Sequence, residues 1–211
     1  MDRFYLPTDN QAAASYVYAL EFSTTTEDAA TALPFEWGGF GYALAHGGTI
    51  ALPPEELIPA AAQARYQFTD ADSVNAASWA IAFSGPKSVI KTVTGNDLSR
   101  VVLLSHNIDI AQKVLSVDEL GLAPVRWVDT RALAQLAFPG QSSYDLEPLR
   151  YSLGLADALG RAYGQQPFVA LERAQTTACL FWALYDAFHV EHGDGTLAWM
   201  VGQSKQQDPF G

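Results

Sequence analysis

The stretch "SHNIDIAQKVL", residues 105–115, joins a polar strand end to a helical pattern. It follows the apolar run "VVLL", which predicts a buried strand, and the helical pattern begins near Ile108. Polar residues between a strand and a helix are where α/β proteins commonly place a functional site. The first turn of this helix, however, presents Ile108, Ile110 and Ala111, none of which can bind a metal ion or transfer a proton. The stretch alone leaves open whether this is a functional site or the remains of one.

The segments on either side predict an α/β fold with a five-stranded mixed sheet flanked by helices. We predict strands at 15–22, in a hairpin over 35–52 that turns at Gly47 and Gly48, at 100–105 and at 125–129. We predict helices at 70–82, 86–94, 108–116, 130–138, 145–155 and 169–191. Three strands come first, strands and helices then alternate, and helices end the chain. We expect one domain over 1–200 and a flexible C-terminal tail over 201–211.

Composition narrows the class of protein. Hydrophobic residues make up 49% of the 211 residues, which is typical of a globular protein, and we find no candidate membrane span or secretory signal. The single cysteine, Cys179, excludes an internal disulfide and a cysteine-rich zinc site, so we expect a cytoplasmic setting. The net charge of −11 weighs against broad, non-specific nucleic-acid binding. It does not exclude a nuclease whose metal ions bridge carboxylates and phosphate.

Four segments, in order, resemble the DnaQ-like (DEDDh) 3′–5′ exonucleases of the ribonuclease H-like fold. "YVYALEFSTTT" resembles the opening strand with Asp-x-Glu-x-Thr, and "VVLLSHNIDIA" resembles the strand followed by His-Asn-x-x-Phe-Asp. "WVDTRALAQLAFPGQSSYDLEPLRYSLGL" is similar to the segment "DT…LA…LFPG…SYxLexL…LGI". "FVALERAQTTACLFWAL" is similar to the last helix, with its His-x-x-x-x-Asp. Together these segments cover nearly the whole chain.

The resemblance implies a two-metal hydrolysis of phosphodiester bonds, which requires four acidic ligands and one histidine as general base. At the matching positions this chain has Ala19, Glu21, Ala111, Phe168 and Arg173. Glu21 is the only one of the five catalytic family residues that is kept. Alanine and phenylalanine cannot bind a hard cation, and an arginine places a fixed positive charge where a metal ion would bind. We therefore expect no catalytic residues, no metal at Glu21 and no cofactor, and we expect Arg173 to face Glu21 as its counter-charge.

The first functional hypothesis is a catalytically inactive, exonuclease-like binding or adaptor subunit in a nucleic-acid-processing assembly, with a protein partner. Weak, local binding of single-stranded nucleic acid would then use His106 and Arg173. The second hypothesis is a divergent but active exonuclease that uses Mg²⁺ or Mn²⁺ and recruits other acids, such as Asp109 or Asp28. The third is a structural protein that oligomerises through an aromatic surface, for which the tryptophans Trp37, Trp79 and Trp199 are candidates.

Two further features have simpler structural explanations. Asp129 in "WVDT" is placed to cap the following helix rather than to bind metal. The glycines of "EWGGFG", residues 36–41, lack the lysine and Ser/Thr of a phosphate-binding loop. They fit a strand that another part of the backbone approaches closely.

Overall fold

The structure is a computed structural model that describes residues 15–41, 44–52, 58–66, 76–116, 125–155 and 168–206. Its strands are β1 (Tyr16–Thr24), β2 (Pro34–Gly41), β3 (Leu44–Thr49), β4 (Val101–Ser105) and β5 (Arg126–Asp129). Its helices are α1 (Ala60–Tyr66), α2 (Trp79–Ala82), α3 (Ser84–Thr94), α4 (Ile108–Ser116), α5 (Thr130–Ala137), α6 (Leu146–Ser152), α7 (Val169–His192) and α8 (Thr196–Gln206). Two short 3₁₀ turns lie at Leu98–Arg100 and Gly193–Gly195.

The five strands form one mixed sheet in the order β3-β2-β1-β4-β5. The pairs β1–β2 and β2–β3 are antiparallel, whereas β1–β4 and β4–β5 are parallel. The predicted fold class, a five-stranded mixed sheet flanked by helices, is confirmed. Because β1 is central, residues at its end lie close to the ends of β2 and β4, and the site is built there.

The sheet is covered on both faces because β1 alternates two sets of side chains. One face carries Ala19 and packs, with Leu104 and Val128 of the neighbouring parallel strands, against apolar residues of α5, α6, α7 and α8. The other face carries Tyr18, Leu20 and Phe22 in two further apolar clusters, which include residues of α3 and α4. Within the described ranges, no helix is long and apolar enough to cross a membrane.

Glycines bring the long helix α7 against the sheet. A Cβ atom on Gly38 would lie 2.2 Å from the backbone nitrogen of Leu171, and one on Gly47 would lie 3.0 Å from the Phe168 ring. Gly47 pairs with Gly38 inside the β2–β3 ladder, so the predicted turn at Gly47 and Gly48 is wrong. The strands of the hairpin instead end at Gly41 and begin again at Leu44. These glycines serve close packing, as expected for "EWGGFG".

Other predicted boundaries differ from the structure. Within the predicted helix 70–82, residues 70–75 lie outside the described residues, Ala77 forms a bridge with Ile50, and α2 begins only at Trp79. The predicted tail is wrong for residues 201–206, because α8 continues to Gln206 and buries Val201. Residues 207–211 lie outside the described residues. Helices α1 and α8 were not predicted.

Candidate functional site

Glu21 lies on β1 with only 2% of its surface exposed, on the face of the sheet that α7 covers. Its Oε1 accepts hydrogen bonds from the backbone N–H of His106, at 2.7 Å, and from the hydroxyl of Thr177, at 2.8 Å. Its Oε2 lies 3.7 Å from Nη2 of Arg173. The carboxyl group is thus held from three sides, by β1, by the end of β4 and by α7.

Burial has the largest effect on the ionisation of this carboxyl group. It raises the pKa of Glu21 above the usual value because the charged form loses its hydration. Arg173 and the donors of His106 and Thr177 lower this pKa, in that order, but do not cancel the effect of burial. Because Oε1 already accepts both hydrogen bonds, Oε2 is the oxygen with room for a proton.

The structure brings Arg173 and Glu21 together, as the resemblance predicted. The contact is an ion pair and not a hydrogen bond, since Nη2 lies 3.7 Å from Oε2. The guanidinium group also lies near the ring of Tyr66, with Nη1 3.4 Å from the hydroxyl and Cζ 5.9 Å from the ring centre. Arg173 thus lies between a buried acid and an aromatic ring, with 18% of its side chain exposed.

Three other positions from the resemblance occupy different environments. Ala19 lies on the same face of β1 as Glu21 and packs in the apolar cluster beneath α7. Phe168 is the N-cap residue of α7, over β3. Ala111 is fully buried in the cluster of Leu20 and Phe22, which point to the opposite face of the sheet.

His106 is buried, with 4% of its surface exposed. Its Nε2 lies 2.7 Å from the carbonyl oxygen of Tyr144, and its Nδ1 lies 3.0 Å from the hydroxyl of Thr130. A carbonyl can only accept, so Nε2 donates to it and the neutral ring accepts at Nδ1. Both ring nitrogens are therefore used inside the protein, and the predicted contact between His106 and nucleic acid has no free ring nitrogen to make it.

The burial of His106 predicts a loss of stability in acid. Burial lowers its pKa to about 4, whereas the free imidazole has a pKa of 6.5, so the unfolded chain binds the extra proton first as the pH falls. We expect the wild type to lose about 2 kcal/mol in the free energy of unfolding between pH 7 and pH 5 through this group. His106→Gln should flatten this dependence in urea titrations. The exposed His46→Gln is the control, and an equal dependence in all three proteins would contradict the assignment.

Glu36 is a second buried acid that sequence reasoning missed. Its Oε2 accepts from the hydroxyl of Ser23, at 2.7 Å, and from the backbone N–H of Ala170, at 2.9 Å. Burial again raises the pKa, and the Ser23 hydroxyl and the backbone of Ala170 and Val169 lower it. Phe168 cannot cap α7 with its side chain, so a carboxylate from β2 satisfies the first turn of the helix instead. This contact fixes the helix end that positions Arg173.

A cleft of about 570 Å³ opens beside this cluster. Four acidic and three arginine side chains are among the residues that line it: Glu27, Asp145, Glu147, Glu172, Arg65, Arg131 and Arg173. A smaller pocket of about 30 Å³ reaches Glu21 and shares Glu27, Arg65, Tyr66, Asn107 and Arg173 with the cleft. The cleft therefore ends at the Glu21–Arg173 pair.

The residues at this end do not fit a pair of divalent metal ions. Hard cations require several carboxylate or carbonyl oxygens, and Glu21 offers one carboxylate whose Oε1 already accepts two hydrogen bonds. The nearest charged group is a guanidinium, which repels a cation. Within the described ranges, no three His, Cys, Asp or Glu side chains are grouped so that they could hold a metal ion.

The remaining predicted residues lie apart from Glu21 or have structural contacts. Asp129 caps α5 by accepting from the backbone N–H groups of Arg131, at 2.9 Å, and Ala132, at 3.0 Å. Asp109 is exposed on α4, and Asp28 accepts from the backbone N–H of Ala30 in the loop after β1.

The tryptophans proposed for an oligomer interface differ in their surroundings. Trp37 is fully buried, so the expectation that it forms such an interface is wrong. Trp199 is partly buried and stacks on His192 at a ring-centre distance of 4.2 Å. The side chain of Trp79 lies outside the described part of the structure.

Comparison with solved structures identifies the fold. Exonuclease X in complex with 5′ overhanging duplex DNA matches with a TM-score of 0.56 and 18% identity, over 88% of this chain and 99% of that one. The nuclease domain of 3′hExo, a DEDDh family member bound to rAMP, matches with a TM-score of 0.54 and 13% identity, over 85% and 93%. An ExoI/SSB-Ct complex matches with a TM-score of 0.52 and 10% identity, over 88% and 43%.

Sequence comparison alone gives no relative. No protein-family model matches the chain, and no curated protein matches it. The structural matches extend over most of this chain and include DEDDh nucleases, and the observed sheet has the architecture that the resemblance predicted. The chain therefore has the DnaQ-like exonuclease fold, which is ribonuclease H-like.

Proposed function

We propose that this protein is a catalytically inactive, exonuclease-like binding or adaptor subunit of a nucleic-acid-processing assembly. The observation that carries the proposal is the guanidinium of Arg173, which lies 3.7 Å from the buried carboxylate of Glu21 at the inner end of the cleft. A cation held there by α7 opposes metal binding through its charge. Ala19 and Phe168 offer no ligand or base in compensation.

The fold and the cleft support a retained binding function. Exonuclease X is seen with duplex DNA and ExoI with an SSB C-terminal segment, so relatives of this fold bind both nucleic acid and protein. The cleft of this chain is large enough for a nucleotide-sized group and is lined by three arginines. The net charge of −11 limits nucleic-acid binding to a few local contacts of this kind.

The proposal predicts that Mg²⁺ and Mn²⁺ do not support degradation of nucleic acid. Purified protein should leave 3′-labelled single-stranded DNA and RNA intact at millimolar metal, and calorimetry should detect no metal binding that depends on Glu21. The matched control is Glu21→Ala, which removes the carboxylate that Arg173 faces. Metal-dependent degradation that Glu21→Ala abolishes would favour the second function, a divergent but active exonuclease, and would end this proposal.

A further inference from the structure

The arginines around the cleft differ in how well their charges are matched. Arg65 forms an ion pair with Glu27, and both side chains are at least half exposed. Nη2 of Arg131 donates to Asp145 at 3.1 Å, again at the exposed rim. These pairs occupy the outer wall of the cleft. Each of these two charges is paired with a carboxylate at the exposed rim, so it attracts an incoming anion less strongly than an unmatched charge would.

Arg173 has unused hydrogen-bonding capacity. A guanidinium group has five N–H donors, yet among the described residues Arg173 makes one long hydrogen bond, at 3.4 Å, to the Tyr66 hydroxyl. The buried Nε of Arg173 has no hydrogen-bond partner in the described structure. The distance of 3.7 Å from Nη2 to Oε2 of Glu21 is too long for a hydrogen bond. Nη2 therefore keeps donor capacity that an oxygen-rich anion in the cleft can use, since 18% of the side chain is exposed.

The acid behind Arg173 does not depend on it for hydrogen bonds. Oε1 of Glu21 accepts from the backbone of His106 and from Thr177 at normal distances. Burial also raises the pKa of Glu21, which favours the neutral carboxyl group and so weakens its attraction to the arginine. An anion that enters the cleft can therefore contact Arg173 while the carboxyl group of Glu21 keeps its two hydrogen bonds.

The N-terminus of α7, near the cleft, does not provide an anion-binding site. The first turn of α7 would attract an anion through its free N–H groups, but the N–H of Ala170 already donates to Glu36. The pocket of about 30 Å³ beside Glu21 holds no more than a few water molecules. A larger anion must therefore bind at the mouth of that pocket, where Arg173, Asn107 and the Arg65–Glu27 pair line both spaces.

We propose that Arg173 makes the inner end of the cleft a metal-independent site for a phosphoryl group. The group has tetrahedral oxygens that match a guanidinium with two parallel hydrogen bonds. Asn107 accepts from the backbone N–H of Ile110 through its Oδ1, so its amide NH₂ is the part that can donate to the ligand. The site carries positive charge where a metal-dependent nuclease carries metal ligands. This inference rests on the proposed function, since an inactive site has no need of the metal that Arg173 opposes.

The test measures binding of three probes by calorimetry in EDTA: inorganic phosphate, a nucleoside 5′-monophosphate and the unphosphorylated nucleoside. We expect phosphate and the monophosphate to bind and the nucleoside not to bind. Tighter binding of the monophosphate than of phosphate indicates a nucleotide end as the ligand, and equal binding indicates free phosphate. Added Mg²⁺ should not strengthen either. Binding that requires Mg²⁺, or binding of the nucleoside alone, overturns the inference.

Variants separate a binding role of Arg173 from a structural one. Arg173→Gln should weaken phosphate binding by about tenfold or more, as expected for loss of a charge-assisted contact. Glu21→Gln should tighten it, because it removes the charge that competes for the arginine. The double variant, which leaves no unpaired charge, should fold and not bind. The control is Arg100→Gln, since Arg100 lies over Tyr16 and not in the cleft.

The outcomes distinguish this inference from the proposed function. If the double variant binds phosphate as tightly as the wild type, or Glu21→Gln does not tighten binding, the inference fails and the proposed function stands. If the protein degrades nucleic acid with metal, the proposed function fails, whatever its affinity for phosphate.

Discussion

Replacing Gly38 with alanine is expected to destabilise the protein more than any other single methyl group added to the sheet. The new Cβ would lie 2.2 Å from the nitrogen of Leu171 and 2.3 Å from the carbonyl carbon of Ala170. Both are backbone atoms of α7, so no side chain can rotate away and the whole helix must move. Overpacking commonly costs about 1–3 kcal/mol, and we expect at least about 3 kcal/mol here because a helix backbone is displaced.

The matched control adds the same methyl group where space is open. Gly202 lies in α8, and a Cβ there would meet nothing within 4 Å. Gly202→Ala should be neutral or stabilising by about 0.5–1 kcal/mol, because alanine favours the helix. Urea denaturation of both variants measures the difference. Equal stability of the two would show that α7 does not rest on Gly38.

Displacement of α7 should also affect the site. Gly38 pairs with Glu21 across β1 and β2, and Arg173 and Thr177 reach Glu21 from α7. A helix that moves off Gly38 therefore carries both contacts away from the carboxyl group. Phosphate binding should weaken in Gly38→Ala at temperatures where the protein is still folded.

The fold was predictable where one pattern has one explanation. The apolar run at 101–104 and the helical stripe of residues 169–191 each fit a single kind of element, and β4 and α7 lie there. The glycines at 47 and 48 fit either a turn or a close backbone contact. Only the position of α7 over the sheet distinguishes the two, and local sequence does not contain that position.

The site was predictable only in part, for a related reason. The proximity of Glu21 and Arg173 followed from the resemblance, because both positions belong to its motifs. Thr177, Tyr66 and Glu36 were missed, although they contact Glu21, Arg173 and the start of α7. These three contacts join residues more than 100 positions apart, so no spacing rule could find them.

Removal of the Arg173 charge should destabilise the protein, and the loss should depend on Glu21. Arg173→Gln leaves the carboxyl group buried at 2% exposure with two neutral donors. Breaking one partner of a buried pair typically costs about 3–5 kcal/mol when the other stays charged. The double variant Glu21→Gln/Arg173→Gln leaves no unpaired buried charge. Its free energy of unfolding should therefore fall less than that of Arg173→Gln alone. The difference between the two variants is the coupling between the residues.

The pH dependence of this loss has a definite sign. Burial raises the pKa of folded Glu21 above the unfolded value of 4.5. At pH values between these two pKa values, the folded protein therefore binds more protons than the unfolded chain. Stability through this group therefore falls as the pH rises from about 4.5 through the folded pKa. Without Arg173 the pKa rises further, because the largest effect opposing burial is gone. The deficit of Arg173→Gln relative to the wild type should thus be larger at pH 8 than at pH 5 in urea titrations. The double variant should not show this increase, because it has no carboxyl group at position 21 to titrate. A deficit equal at both pH values in the two proteins would mean that Arg173 stabilises the fold through packing against Tyr66 and not through the charge of Glu21.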